Sequence, residues 1–186
     1  MAAGAHQRVL GLRTEPRRID DIKQLWHSQY VVTTQQDCLI CDRIQEIRQR
    51  KNPYFVAELE TGYVVIGDYQ FFRGYTLFLC KEHKRELHEL DPEFRKHYLW
   101  EMSLVAEAVF NAFKPQKLNY ELLGNTDHHM HWHIFPRYSN DPLPNRTVWN
   151  IDKEIRTTDD VRPDPVLLEE LKDSLRGELD EVSKGY

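Results

Sequence analysis

Five stretches between residues 54 and 136 combine apolar and β-branched or aromatic residues in runs of strand length. They have the sequences YFVAEL, GYVVIGD, GYTLFLC, KLNYELLG and HMHWHIFP. Runs of this kind, bounded by turn residues such as those of Asn52-Pro53, are typical of β-strands. The first three predict an antiparallel meander, and together the five predict an antiparallel sheet.

One long helix is expected between the third and fourth of these strands. Asp91 is placed as its N-cap, Pro92 occupies the first turn, and Pro115 lies just beyond its expected end at about Phe113. Apolar residues recur within it at three- and four-residue spacing, which predicts one face packed on the sheet: Leu99, Met102, Val105, Ala106, Val109, Ala112 and Phe113. The expected fold class is therefore α+β.

The chain divides into three parts. Residues 1–37 are a polar N-terminal extension with a short helix across Ile19 to Trp26, and residues 38–140 form the domain, which opens with a short helix after Cys38. Residues 141–186 form a C-terminal tail that starts as a loop and ends in a charged helix from about Asp164 to Val182.

Composition and charge restrict the function. Apolar residues make up 40% of the chain and charged residues 30%, which indicates a globular protein rather than a disordered one. The formal net charge of −5 would repel a nucleic-acid backbone, so no nucleic-acid polymer is expected as a partner. Any phosphate ligand must be held by local groups.

The N-terminal sequence lacks the apolar stretch of a secretory signal, and no run approaches the roughly 20 apolar residues of a membrane span. These features predict a cytoplasmic protein without a membrane partner. Three cysteines are too few for a disulfide scaffold. The pair Cys38-Leu-Ile-Cys41 therefore suggests metal or redox chemistry.

The fifth strand carries an unusual set of histidines. His129, His131 and His133 alternate with Met130, Trp132 and Ile134, so in a strand the imidazoles share one face and the apolar side chains share the other. A solvated polar face is the alternative. Same-face neighbours on a strand lie about 6.6 Å apart. Three such imidazoles do not readily meet one zinc ion at about 2.1 Å, so the histidines must do different jobs.

The pattern His-φ-His-φ-His-φ-φ, where φ is apolar, resembles the signature of the histidine-triad (HIT) superfamily. The neighbouring segments HWHIFPRY, LNYELLGN, GYTLFLCKEH and CLIC are similar to bacterial-type HIT proteins, over about Cys38 to Tyr138. The resemblance implies a HIT-like fold and a nucleotide substrate. It also implies that His131 is a nucleophile that forms a covalent nucleotidyl-histidine, while His133 binds a phosphate oxygen.

The resemblance assigns further substrate contacts. The phosphate loop is expected at Gly124 to His128, where Asn125 can donate an amide hydrogen bond. Asp68 is expected to accept from the ribose hydroxyls. Other candidates for contacts with the substrate have structural alternatives as turn, core or solvated residues: Thr126, His128, Phe71, Phe72 and Arg137.

A structural zinc ion is the expected cofactor. Cys38 and Cys41 supply two ligands, and the resemblance names His83 and His129 as the other two. His88 is a rival for His83. A redox dithiol would need a parallel βαβ context, which is not predicted, and two inert core cysteines are the third alternative. Cys80 is expected to be buried.

The leading functional hypothesis is a homodimeric nucleotide hydrolase acting at the α-phosphate of a dinucleoside polyphosphate or a related adenylated compound. Its substrate is expected to bind as a magnesium complex. Two alternatives stay open. One is a nucleotidyltransferase or phosphorylase of the same superfamily, and the other is a nucleotide-binding regulatory module with little turnover.

Overall fold

The structure, a computed structural model, describes residues 38–185. The N-terminal extension, with the helix predicted across Ile19 to Trp26, lies outside these residues. Among residues 38–185, no helix is long and apolar enough to cross a membrane.

A five-stranded sheet forms the centre of the domain, as the sequence predicts. Its spatial order is β1-β2-β3-β5-β4, and every neighbouring pair is antiparallel. The strands are β1 (Phe55–Glu58), β2 (Gly62–Ile66), β3 (Thr76–Cys80), β4 (Lys117–Leu122) and β5 (His131–Arg137). Because the first three strands are consecutive in space, the predicted meander is confirmed. Strand β5 enters between β3 and β4 and is thereby paired on both sides.

Helices pack against this sheet. Residues 38–185 contain four α-helices, and they are α1 (Leu39–Arg48), α2 (Pro92–Phe113), α3 (Lys153–Arg156) and α4 (Pro165–Lys184). Single 3₁₀ turns occur at Leu87–Glu89, Val148–Asn150 and Asp159–Val161. Helices α2 and α4 pack together on one face, over a core that includes Val64, Phe78 and Ile134. The opposite face packs on α1 at one side and on Val148 and Ile151 at the other.

Helix α2 begins as predicted, with the Asp91 carboxylate accepting from the backbone N–H groups of Glu93 (2.9 Å) and Phe94 (3.3 Å). It ends at Phe113, where Lys114 adopts a left-handed conformation with φ 50°. The prediction that Leu99 faces the core is wrong, since this side chain is 36% exposed. Tyr98, one residue earlier and rotated by about 100° around the helix, is fully buried in its place.

Helix α4 confirms the predicted C-terminal helix and extends it by two residues. Asp164 accepts from the backbone N–H of Leu167 and caps its N-terminus. Its buried side chains recur every three or four residues, and they are Leu168, Leu171, Leu175, Leu179 and Val182. This stripe adds a second helix to the core, so the tail contributes to the stability of the domain.

Trp132 lies on the helical face of the sheet, opposite the imidazoles of its neighbours. It is the cross-strand partner of Phe78 and packs, partly buried, against the core. Its indole Nε1 is buried without a hydrogen-bond partner among residues 38–185. The face assignment made from the sequence is therefore confirmed.

We expect Trp132→Ala to cost about 3 kcal/mol of unfolding free energy, the lower end of the range for such truncations because the ring is partly buried. Trp132→Phe keeps most of the packing and removes the unpaired N–H, so it should unfold close to wild type. Urea unfolding measures both variants. If Trp132→Ala has the unfolding free energy of wild type but has lost its catalytic activity, the two faces of the strand have been assigned wrongly.

Candidate active site and metal centre

Two cysteines and two histidines from three separate segments meet at one end of α1. Cys38 is the N-cap of α1 and Cys41 lies in its first turn, His83 follows β3, and His129 precedes β5. Cys41 Sγ lies 3.2 Å from His83 Nδ1 and 3.4 Å from His129 Nδ1, and Cys38 Sγ lies 3.6 Å from His129 Nδ1. The four ligand atoms all lie within 4.8 Å of one another.

This cluster has the donor set and the dimensions of a tetrahedral zinc site. Zinc bound at about 2.0–2.3 Å separates its ligand atoms by roughly 3.3–3.8 Å, close to the sulfur–nitrogen spacings of 3.2, 3.4 and 3.6 Å. His88, the rival candidate, is exposed on the 3₁₀ turn Leu87–Glu89, outside the cluster. Cys80 is buried in the core as predicted.

His129 presents the correct nitrogen to the thiols. Its Nε2–H donates to the carbonyl oxygen of Cys80 at 2.8 Å, which leaves the Nδ1 lone pair directed at Cys38 and Cys41. Burial lowers the pKa of His129 to about 4, so the ring is neutral at physiological pH. A neutral imidazole with an oriented lone pair is the form that binds a metal ion.

His131, the first residue of β5, is held by the backbone of His129. Its Nδ1 lies 2.6 Å from the His129 carbonyl oxygen, which can only accept, so Nδ1 carries the proton. The Nε2 atom of a neutral His131 is then unprotonated. The side chain is only 5% exposed, which restricts the ring to this orientation.

His133 is fixed by a residue that the sequence analysis did not single out. The Tyr75 hydroxyl lies 2.6 Å from His133 Nδ1, and burial holds the pKa of Tyr75 well above its usual range. The phenol therefore keeps its proton and donates it to Nδ1, which places the proton of a neutral His133 on Nε2. Burial, with a smaller contribution from the nearby His131, lowers the pKa of His133 to about 3.

In their neutral forms, His131 therefore has a hydrogen-bond acceptor at Nε2 and His133 has a donor at Nε2, on the same face of the sheet. Their rings are 4.7 Å apart between centroids, with His131 offering a lone pair and His133 an N–H donor. On β3 the cross-strand partners of these residues are Leu79 and Leu77, and on β4 the partner of His133 is Glu121. A lone pair and an N–H donor thus lie side by side, with apolar side chains on one flank and a carboxylate on the other.

Asp68 follows β2, close to the first turns of α1. Both of its carboxylate oxygens accept from the guanidinium of Arg43, with Nη1 to Oδ1 at 2.8 Å. This two-point ion pair joins the helix of the Cys-x-x-Cys knuckle to the end of β2. The sequence analysis did not identify Arg43, because nothing in the pattern shows that α1 crosses this strand end.

The remaining candidates divide between the core and the surface. Phe72 is 3% exposed and packs with Phe135, whereas Phe71 lies partly exposed beside it. Asn125 and Thr126 are exposed in the loop before β5, and His128 is half-buried there.

Arg137 is buried and all three of its nitrogen atoms have partners in the protein. Nε donates to Asp141 at 2.8 Å, Nη1 to Asn119 at 2.9 Å and to the Arg146 carbonyl at 2.7 Å, and Nη2 to the Leu143 carbonyl at 3.3 Å. These contacts hold the chain after β5 against the sheet. They give Arg137 a structural role, and its predicted phosphate contact remains a prediction.

A cavity of about 320 Å³ lies beside His133, between the loop after β2 and the C-terminal segment. Six of its lining residues are aromatic and two are cationic: Tyr69, Phe71, Phe72, Tyr75, Phe135, Trp149, Lys153 and Arg156, with Thr126 and Thr157. The sequence analysis missed Trp149, Lys153 and Arg156. Their spacing gave no signal, because Trp149 lies on the 3₁₀ turn Val148–Asn150 and the other two lie on the separate helix α3.

Comparison with known proteins places this geometry in a family. Residues 54–140 match the model of the HIT domain. The chain is 34% identical over 74 residues to Protein hit of Bacillus subtilis, an alignment that covers 37% of this chain and 51% of that protein. The chain thus spans about half the length of the curated relative that it matches.

Solved structures share the fold. The histidine triad protein of Bradyrhizobium japonicum is 22% identical, with a TM-score of 0.60 over 70% of this chain and 94% of that one. A zinc-bound histidine triad family protein of Mycobacterium smegmatis is 21% identical, with a TM-score of 0.58 over 82% of this chain and all (100%) of that one. Residues 54–140 therefore carry a HIT domain, in the fold that these histidine triad proteins share.

Proposed function

We propose that this protein is a nucleotide hydrolase that acts at the α-phosphate of a dinucleoside polyphosphate or a related adenylated compound. The observation that carries the proposal is the 2.6 Å contact between His131 Nδ1 and the His129 carbonyl oxygen. In the neutral imidazole this contact places the lone pair on Nε2, the nitrogen that can act as the nucleophile. A module that only binds nucleotides has no need for such an activated imidazole.

The reaction proceeds in two displacements. His131 Nε2 attacks the α-phosphorus, the bond from phosphorus to the leaving-group oxygen breaks, and that oxygen leaves with the electron pair. Water then attacks the same phosphorus, the P–N bond breaks, and the nucleoside monophosphate is released with His131 neutral again. Dividing one difficult displacement into two easier ones is the general advantage of covalent catalysis.

His133 and Asn125 are assigned to the phosphate oxygens. The contact of His133 with Tyr75 supports this, because it leaves Nε2–H of His133 as a fixed donor beside the nucleophile. Asn125 is exposed in the loop before β5 and can donate from its amide. Thr126, His128 and Arg137 remain candidates for further phosphate contacts.

Asp68 and Phe71 are assigned to the nucleoside. Asp68 can accept from ribose hydroxyls only by sharing its carboxylate with Arg43, which already occupies both oxygens. Phe71 lines the cavity beside His133, where its ring can stack on a base. Phe72 supports it from the core, with ring centroids 5.1 Å apart.

Zinc is assigned to Cys38, Cys41, His83 and His129 as a structural cofactor. The closed Cys₂His₂ set and the spacing of its donor atoms support this, and the solved relative from Mycobacterium smegmatis is described as zinc-bound. The ion would join α1 to the residue that orients His131. For this reason we take the domain to begin at residue 38, upstream of the matched region.

We propose that the protein is a homodimer and that it is located in the cytoplasm. Strand β4 is an edge of the sheet with Tyr120 exposed, and Trp100 and Phe110 are exposed on α2, which favours association. All three cysteines of the described residues are free thiols, which suits a reducing compartment.

Zinc content tests the metal proposal. Protein purified without added zinc should contain about one equivalent per chain, and Cys41→Ser should release it and lower the melting temperature. Cys80→Ala is the matched control, because it removes a thiol outside the cluster and should retain the metal. Wild-type protein that is metal-free, stable and fully active would contradict the assignment.

Trapping of a covalent adduct tests the role of His131. Wild-type protein is incubated with substrate labelled at the α-phosphate and quenched rapidly in base. A phosphoramidate on histidine is stable in base and labile in acid, so the label should stay on the protein. His131→Ala should trap no label while its nucleotide affinity stays within about tenfold, since the imidazole acts mainly in the transition state.

The control for this experiment is His97→Ala, which removes a histidine on α2 and should label as wild type does. Label that persists in His131→Ala would place the nucleophile elsewhere. Release of ADP only when inorganic phosphate is present would replace water by phosphate as the acceptor and identify a phosphorylase.

Stability at low pH tests the neutral state of His133. Its pKa is about 3 in the folded protein and about 6.5 in an unfolded chain, so between these values only the unfolded state binds the proton. The free energy of unfolding should therefore fall as the pH falls below about 6.5, and this histidine should account for a loss of about 1.4 kcal/mol at pH 5.5. In His133→Gln that contribution should vanish from the pH profile, and an unchanged profile would contradict the account.

A further inference from the structure

The segment that follows the HIT domain is attached beside the catalytic histidines by several independent contacts. Val148 and Ile151 are buried against Phe72 and Phe135. The backbone N–H of Gln70 donates to the Val161 carbonyl at 2.7 Å, which joins the segment to the loop after β2. The residues of this segment therefore have defined positions relative to the site.

Trp149 brings the segment into contact with the histidine face. Its ring centroid lies 6.1 Å from that of His133 and 6.0 Å from that of Phe135, edge-to-face in both cases. The indole N–H donates to the carboxylate of Glu121, the cross-strand partner of His133. Trp149 is thus held from two sides next to the predicted phosphate donor.

Arg156 is positioned on this tryptophan. Its guanidinium lies 4.8 Å from the centre of the Trp149 ring, and its Nε donates to the Ile151 carbonyl at 2.8 Å. The Nη atoms have no hydrogen bond or ion pair among residues 38–185 and remain available. Lys153, one helical turn earlier, is exposed and likewise has no ion pair within this part of the chain.

The cavity that these residues line is locally cationic in a chain of net charge −5. Lys153 and Arg156 are the charged residues among its lining, and no carboxylate is. Glu121 is the nearby acid, and its carboxylate is engaged by the Trp149 indole. Two available cations beside a phosphate-binding histidine favour an anionic group in this cavity.

We propose that Lys153 and Arg156 bind the phosphates of the leaving group, so that the substrate class is one with a polyphosphate leaving group rather than a neutral amine. This inference rests on the proposed function and adds a specificity site outside the HIT domain. When the bond from the α-phosphorus to the leaving oxygen breaks, negative charge accumulates on the departing phosphates. Fixed cations at that position stabilise the charge more in the transition state than in the ground state.

Two substrates with the same adenylyl group separate this role from a structural one. Diadenosine tetraphosphate has a polyphosphate leaving group, whereas adenosine 5′-phosphoramidate releases ammonia. In Lys153→Gln/Arg156→Gln we expect kcat/KM for the tetraphosphate to fall at least tenfold and that for the phosphoramidate to stay within twofold. Lys96→Gln/Lys184→Gln removes the same charge at exposed positions elsewhere and should leave both values within twofold.

The single variant Lys153→Gln is the control for misfolding. This exposed side chain has no partner among the described residues, so its replacement should not disturb the fold. It should show the same selective loss to a smaller extent, at an unchanged melting temperature. Equal losses for the two substrates, or no loss for either, would overturn the inference.

A binding comparison distinguishes failure of the inference from failure of the proposed function. In the His131→Ala background, adenosine 5′-tetraphosphate should bind at least tenfold more weakly once Lys153 and Arg156 are replaced, while the affinity for AMP should not change. Wild-type protein that turns over neither substrate would contradict the proposed function. The affinities would still decide the inference, and equal weakening for both ligands would overturn it.

Discussion

The hydrogen bond from His131 Nδ1 to the carbonyl oxygen of His129 is the constraint on which the rest of the site depends. It fixes the tautomer of the central histidine, so that in the neutral ring the lone pair is on Nε2. The same residue that supplies the carbonyl also directs its own ring at two thiols and donates from Nε2 to the Cys80 carbonyl. The backbone of His129 thus orients the proposed nucleophile, while its side chain belongs to the cluster that could hold a metal ion.

This arrangement connects a distant cysteine pair, 91 and 88 residues before His129, to the proposed catalytic strand. Cys38 and Cys41 open α1, and α1 is tied to the sheet a second time through the ion pair of Arg43 with Asp68. The metal cluster and the proposed ribose contact therefore share one helix. A shift of α1 would move both ends of the nucleotide site together.

The site is built from neutral groups with charges at its edge. Burial lowers the pKa of His133 to about 3 and that of His129 to about 4, so both rings are uncharged near pH 7. Stabilisation of the phosphate oxygens must then come from oriented donors such as His133 Nε2–H. Among the described residues that line the adjoining cavity, the charged side chains are those of Lys153 and Arg156, which we propose to face the leaving group.

The sequence predicted the parts of this account that depend on periodicity. Alternation along residues 129–134 was sufficient to separate the imidazoles from Trp132, and capping and spacing were sufficient to place α2. The contact of Tyr75 with His133 could not be predicted, because it depends on the register between β3 and β5. Leu99 was wrongly predicted to be buried because its spacing fits the helical period. Which side of the helix is buried depends on where the sheet lies, and the sequence does not show this.

The contacts of Arg137 and Trp149 were beyond prediction for a related reason. Both depend on how the chain returns over β5 after residue 140, and a loop without periodicity carries no signal for its path. A basic residue after a strand suggested a phosphate contact, whereas the structure surrounds the Arg137 guanidinium with protein acceptors. Only the folded chain shows that the tail lies beside the triad.

The tautomer of His131 is the most direct test of the central claim. Long-range proton–nitrogen correlation spectra of ¹⁵N-histidine-labelled protein near pH 7, assigned by comparison with His131→Ala, report which ring nitrogen carries the proton. The account predicts a protonated Nδ1 and an unprotonated Nε2 for this residue. A proton on Nε2 would remove the nucleophilic lone pair and contradict the account.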